Sequence, residues 1–361
     1  MADAGAGANG GETGKQEPAA TLCASTTTSC PPWDIGAPKP YVYEDRVNGE
    51  LEDDGASSAA AEATDDEEDE DVNTAQNAEA AETTANGEDG TADSGLTNMW
   101  TNLPASKFKL RGPGYLAENT TNNTKLKVPS ASAAYSCVGL NVFIAKYDLR
   151  HAAEKVASLK QYLATRLEED AKLESEDPGL QGDAPPYLIY SWVFSNFFKT
   201  EYTAVVHVCR RAIKIDSKGE GEDPKLDKVF SNWLAASDEE KSAKLKYCPQ
   251  FSQTSTHLLK TIDALGGQRP VIIGKKLTAS YYRGENYVEI DLDVGSSTVA
   301  SMLNGIALKS SGHLVVDEAV CIEGQSEEEL PERALFAVRW DHCSIADCGN
   351  TLNEHGDVIS S

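Results

Sequence analysis

The sequence predicts an α+β fold: a largely antiparallel β-sheet with flanking helices, preceded by a disordered acidic N-terminal region. Three observations carry that prediction. Charge is uneven along the 361 residues, with 23 acidic and 3 basic side chains in positions 1–100 against 35 and 29 in the rest. Beyond Trp100, apolar residues alternate in short runs closed by Gly and Pro, which is the period of strands. Helical spacing is confined to separate blocks, and neighbouring strands are joined by hairpin-length loops, the arrangement of α+β domains.

Taken in order, residues 1–97 alternate Ala, Gly, Thr, Asn, Asp and Glu around an acidic run at 65–71. Such a segment cannot bury enough apolar surface to offset its conformational entropy, so disorder is expected. One island, Pro31-Pro32-Trp33-Asp34-Ile35 with Tyr41-Val42-Tyr43, reads either as a chance cluster or as a docking motif. In the second reading a protein partner engages 31–43 through Trp33 and Tyr41. The folded domain is expected over 98–346, with 347–361 a polar, frayed tail.

Within the domain, Phe108 and Leu110 alternate with Lys107, Lys109 and Arg111 as on a half-exposed strand, and Gly112-Pro113-Gly114 ends it. A short strand follows at 125–128 and a buried one at 135–143. Val156, Leu159, Leu163 and Leu167 recur at three-and-four spacing and predict a helix over 144–175. Strands are expected at 187–194 and 202–210, a helix at 226–234, and strands at 244–248 and 257–262. After Gly295-Ser296-Ser297 comes an N-capped helix with the stripe Val299, Met302, Leu303, Ile306. A strand at 314–322, a capping box at Ser326/Glu329 cut short by Pro331, and a strand at 334–345 complete the domain.

Between Val271 and Asp293 the register itself can be read. If Gly284-Glu285 is a two-residue hairpin loop, Tyr281 faces Val288, Ala279 faces Ile290 and Leu277 faces Leu292. On the other face Ser280 meets Glu289, Thr278 meets Asp291 and Lys276 meets Asp293. One face is apolar and the other polar, as a half-buried hairpin requires.

Composition narrows the function classes. The formal net charge of −26 argues against a nucleic-acid binder, which needs clustered Lys and Arg. No secretory signal is visible at the N-terminus. The most apolar stretch, 187–198, is too short for the roughly 20 residues of a membrane span. Eight scattered cysteines with no C-x-x-C pair fit reduced thiols in a cytoplasmic protein.

Three segments, FKLRGPGYL (from 108), VIIGKKLTASYYRGENYVEIDLDVGSSTVA (271–300) and LVVDEAVCIEGQSEEELPERALFAVR (314–339), resemble the C-terminal domain of the plant protein Enhanced Disease Resistance 2. The resemblance covers roughly 100–345. It implies structural roles for Gly274, Gly284, Glu289, Asp291, Asp293, Gly295, Ser296, Pro331, Glu332 and Arg333. It implies no established activity for the domain and no cofactor. In the larger relatives this domain follows a pleckstrin-homology and a START domain, and those proteins act at endomembranes. Neither partner domain is recognisable in the first hundred residues.

Catalytic signatures such as G-x-S-x-G, H-E-x-x-H and G-x-G-x-x-G are missing. Glu289, Asp291 and Asp293 on one strand face could bind a hard cation or work as acid and base. The expectation is instead that they face solvent or pair with Lys276 and Arg283. Strand lysines and arginines (Lys107, Lys109, Arg111; Lys125, Lys127; Lys244, Lys246; Lys275, Lys276) would bind an anionic lipid or phosphoinositide headgroup if gathered on an open face. Interleaved with the acidic strand, they would neutralise it. Lys275, Lys276, Arg283, Lys107, Lys109 and Arg111 are the anion-binding candidates, with Lys275 and Lys276 on opposite strand faces. His207 reads as a hydrogen-bonded core residue, and alternation points His342 away from Asp341 and Cys343. The expected function is a non-enzymatic regulatory or binding module, cytoplasmic or peripheral on endomembranes and associated with anionic lipid. The alternatives are a protein-interaction scaffold and a metal-dependent hydrolase using 289–293.

Overall fold

The computed structural model describes residues 20–21, 99–117, 126–176, 182–196, 198–253, 269–296, 311–345 and 347–360. All lie in one compact unit. In chain order the elements are β1 (Ala20–Thr21), β2 (Met99–Asn102), β3 (Lys109–Arg111), β4 (Lys127–Pro129), β5 (Tyr135–Ala145), α1 (Ala152–Lys155), α2 (Ala157–Glu176), β6 (Tyr187–Ser195) and β7 (Tyr202–Arg211). Then come α3 (Pro224–Ala235), α4 (Asp238–Lys244), β8 (Leu245–Gln253), β9 (Val271–Ile272), β10 (Thr278–Arg283), β11 (Tyr287–Asp293), β12 (Val315–Ile322), β13 (Ala334–Asp341), β14 (Gly349–Leu352) and β15 (Val358–Ser360). The fold is α+β and mostly antiparallel, with two parallel pairings, β6 with β11 and β5 with β14.

Two large sheets stack face to face. One runs β1-β2-β13-β12-β8-β9 and the other β10-β11-β6-β7-β5-β14-β15. Between them lies the main core, with Leu188, Tyr190, Val205, Ile290 and Leu292 from one sheet meeting Val320, Phe336 and Val338 from the other. The outer face of the seven-stranded sheet is covered by α1 and α2, which insert Val156, Leu159 and Leu163 among Ile189, Val206 and Val208. The outer face of the six-stranded sheet is small-residued (Ala319, Cys321, Ala334, Ala337) and receives Phe108 and Leu110 from the β3–β4 hairpin. Helix caps follow local chemistry. Asp223 accepts from the Lys225 and Leu226 amides ahead of α3, and Ser237 with Glu240 forms a reciprocal capping box on α4.

Several boundaries differ from the sequence reading. The apolar run at 135–145 is wholly strand, and the helix expected from 144 begins at Ala152 and breaks at Val156. Ser326 makes no side-chain cap: the Glu329 amide donates to the Ser326 carbonyl at 3.0 Å, and the Glu329 carboxylate is engaged by Lys244 and the Gln325 amide. Instead of fraying, the tail adds β14 and β15 to the sheet beside β5. There the buried Asn350 side chain donates to the Val142 carbonyl at 3.1 Å. The island at 31–43, the strand at 257–262 and the helix after Ser297 lie outside the described residues.

The hairpin register is displaced. Tyr281 faces Ile290, Ala279 faces Leu292, Ser280 faces Asp291 and Thr278 faces Asp293. Gly284 N–H donates to the Tyr287 carbonyl at 3.0 Å, so the two-residue loop is Glu285-Asn286. Asn286 decides this, since its buried side chain donates to the Leu163 carbonyl of α2 at 2.8 Å. Moving the loop by one residue moves each partner by two, so the composition of both faces survives. Gly284 is required, because a Cβ there would lie 2.1 Å from the Tyr287 ring.

Candidate functional site

The β3–β4 hairpin and its attachment to β8 build the site. Phe108 and Leu110 are 1% and 3% exposed, and their burial turns the alternating Lys107 and Lys109 outward. Antiparallel pairing brings β4 alongside, with Lys127 opposite Arg111. Lys107, Lys109 and Lys127 thereby line one cavity of about 390 Å³, together with Phe108, Leu110, Cys248, Pro249, Gln250 and Pro270. Three exposed lysines thus border a half-open cavity whose lining is part apolar and part polar. Lys127 stands among the strand cations weighed for an anionic headgroup from the sequence, whereas the β8 wall has no signal there.

Arg111 leaves the anion-binding set. It pairs with Glu323 at 2.8 Å, donates to the Gly324 carbonyl at 3.0 Å and lies over the Tyr115 ring. Lys275 ends a 3-10 turn and Lys276 caps it, so neither is on a strand and the opposite-face assignment does not apply. Thr278, not Lys276, stands opposite Asp293. Arg283 is exposed at the end of β10. None of these three lines the lysine cavity. Lys244 and Lys246 are neutralised, the first by Glu329 at 3.1 Å and the second by Glu332.

Glu289 and Asp291 neither face solvent nor pair with Lys276 or Arg283. Both are fully buried beneath α1, where the Ala153 amide points at the Glu289 carboxylate (3.3 and 3.4 Å) and the His151 amide donates to Asp291 Oδ2. Burial pushes the Asp291 carboxyl up to about 6, and burial plus the neighbouring Asp291 raises Glu289 well above the carboxylate range. His151, at φ 66°, stacks on Tyr282 at 4.1 Å and its Nε2 lies 3.0 Å from the Tyr287 hydroxyl. Burial lowers its pKa, so the imidazole does not neutralise the acids at neutral pH. Asp293 plays another part: its Oδ1 accepts from the Gly295 amide, and Ser296 Oγ bridges its carbonyl to the Thr278 amide. Among the described residues no three His, Cys, Asp or Glu side chains are placed to hold a metal ion.

The remaining motif residues clamp the fold. Gly274 approaches the Ser242 backbone so closely that a Cβ would lie 2.4 Å from its carbonyl oxygen. Pro331 follows a cis peptide bond. Glu332 accepts from the Arg111 and Gly324 amides, both at 3.1 Å, and pairs with Lys246. Arg333 reaches Ser132, Glu222 and Asp223. His207 is the buried core residue expected, with Nδ1 3.0 Å from the Tyr190 carbonyl and Nε2 within ion-pair distance of Glu318, 2.8 Å. Burial opposes its charged form, and Glu318 overcomes that to raise its pKa. His342 departs from the alternation: at φ 49° its Nδ1 lies 2.6 Å from Asp341 Oδ1.

Two stacked sheets, covered by helices on one outer face and by a short hairpin on the other, define an α+β domain. Residues 100–344 match the family described as Protein ENHANCED DISEASE RESISTANCE 2, C-terminal, and the chain belongs to that family. It is similar to the Protein ENHANCED DISEASE RESISTANCE 2-like of Arabidopsis thaliana, 24% identical over 249 residues, which is 69% of this chain and 29% of the relative. The chain therefore spans less than a third of that relative's length. No solved structure matches. No helix among the described residues is long and apolar enough to cross a membrane.

Proposed function

We propose that this domain is a non-catalytic binding module that takes an anionic lipid headgroup, such as a phosphoinositide, and works peripherally at endomembranes. One observation supports the reading above others: Lys107, Lys109 and Lys127 border the same half-open cavity of about 390 Å³, in a domain whose overall charge is negative. That volume lies in the range of small-ligand sites, about 300–1,000 Å³. Lysine ammonium groups are compact charges suited to phosphate oxygens. Leu126, half exposed beside Lys127, supplies an apolar contact at the same edge.

Co-sedimentation with phosphoinositide-containing and pure phosphatidylcholine vesicles tests the reading. Binding should require the anionic lipid and weaken as salt rises. Lys109→Ala or Lys127→Ala should each cost about 1 kcal/mol, roughly fivefold in affinity, since a basic residue near an anionic surface is worth about that much. Lys275→Ala, outside the cavity, should change little. Equal losses from Lys275→Ala and Lys109→Ala would place the binding surface elsewhere. Absence of binding at every salt would favour the scaffold without a small ligand.

A further inference from the structure

Residues 323–333 link β12 to β13 and leave one hydroxyl uncommitted. Ser326 is exposed, in extended backbone (φ −137°, ψ 160°), and its side chain makes no cap bond. Three carboxylates follow it directly, Glu327, Glu328 and Glu329. A hydroxyl followed by acids at the next three positions fits a protein kinase with a basic substrate-binding face, because kinases select substrates by complementary charge. The same pattern recurs at Ser237, ahead of Asp238, Glu239 and Glu240. There the fold engages the hydroxyl. Ser237 Oγ accepts from the Glu240 amide, and the Glu240 carboxylate accepts from the Ser237 amide, so reaction requires the first turn of α4 to unwind. Of the two serines, Ser326 alone pairs the acidic pattern with an unengaged hydroxyl.

The three carboxylates are also ties. Glu327 accepts from the Gly114 amide at 2.7 Å and the Leu116 amide at 2.6 Å, which fastens the loop after β3. Glu328 lies 3.6 Å from Lys228 of α3, and Glu329 lies 3.1 Å from Lys244 of α4. A kinase reading the acids must take them from these partners, and exposed contacts around a three-residue turn cost little to release. We infer that Ser326 is a phosphorylation site for an acidophilic serine kinase, and that its phosphate unfastens the 112–116 loop from Glu327. Ser326 Oγ attacks the γ-phosphorus of magnesium-bound ATP, and the new O–P bond forms as the bond to the β-phosphate's bridging oxygen breaks. ADP leaves with the electron pair, and the hydroxyl proton passes to the kinase's base. The product places about −1.5 to −2 charges directly before three carboxylates. Repulsion falls first on Glu327, which is next in the chain and held by neutral amides, whereas Glu328 and Glu329 face lysines. The Gly114 and Leu116 amides then lose their acceptor. Neither step rests on the lipid reading.

The test incubates the full-length chain with casein kinase 2, an acidophilic enzyme, and magnesium ATP, followed by intact-mass measurement and peptide mapping. Phosphate should appear at Ser326 and not at Ser237, and Ser326→Ala should take up one phosphate fewer. That variant loses no cap bond, so it should keep the wild-type melting temperature. Peptides from a digest of the same chain should be modified at both serines, because the capping box that protects Ser237 is then gone. Modification of Thr64, which precedes Asp65, Asp66 and Glu67, reports that the kinase is active. Deuterium uptake at the Gly114 and Leu116 amides should rise at least about tenfold in the phosphorylated chain, as loss of a charged acceptor allows. Glu327→Ala should give the same rise without phosphate. Phosphate on both serines of the folded chain, on Ser237 alone or on neither overturns the proposal. So does unchanged exchange at Gly114 and Leu116 after full modification of Ser326.

Discussion

Glu289 and Asp291 show how a residue's neighbours across the chain decide its chemistry. Their shared face was legible from alternation, but what covers it was not, because the amides that meet them belong to residues about 140 positions earlier. Arg111 is the same case: nothing near it in sequence announces Glu323 or Glu332. By contrast, Phe108 and Leu110 sufficed to turn Lys107 and Lys109 outward. The buried acid pair has a measurable consequence. Asp291 has a folded pKa of about 6, above its unfolded value, so its contribution is fully present below about pH 4 and is lost as pH rises through 6. The loss is on the order of 3 kcal/mol. Glu289→Gln removes the second buried acid, whose own pKa is raised well above the carboxylate range by burial and by the Asp291 charge. Chemical denaturation from pH 4 to 8 should show a smaller decline for Glu289→Gln than for wild type. Parallel profiles would mean that Glu289 is not held up by burial in the folded state.

At the scale of elements, long periodic runs were read well and short polar ones were not. Strands β6, β7 and β12 were placed within a residue or two because they are apolar on both faces. The hairpin loop was misplaced by one residue because a tertiary bond from Asn286 to α2 outweighs the local turn preference. β14 and β15 escaped notice because they are short, polar and held by partners distant in sequence. Their attachment is specific. Gly356, at φ 82°, accepts from the Ala157 amide at the start of α2, and a Cβ at 356 would lie 2.0 Å from the Lys155 carbonyl oxygen. Removing 349–361 should therefore lower the melting temperature by several degrees, since it strips the β5 edge and leaves backbone groups unpaired. Gly356→Ala should reproduce part of that drop. An unchanged melting temperature after truncation would mean that these strands add no stability.

Across the whole molecule, charge is the dominant asymmetry. Residues 1–97 contain all 23 acidic and 3 basic side chains of the first hundred positions, against a domain that is only mildly negative. On the lipid reading proposed above, an acidic segment on the same chain lowers affinity for an anionic surface by charge repulsion alone. Deleting 1–97 should strengthen binding to anionic vesicles at low salt. The gain should disappear near 1 M salt, where the screening length falls to about 3 Å. A gain that persists at high salt would point to steric masking instead of charge.

Glu332 gives the cavity a built-in reporter. One carboxylate holds the Arg111 amide at the end of β3 and the Lys246 ammonium at the start of β8, so the hairpin wall and the sheet wall are bolted together. The two walls cannot separate without releasing that amide to water. Deuterium uptake at the Arg111 N–H therefore times the separation of the hairpin from the sheet directly, and it does so in the free protein.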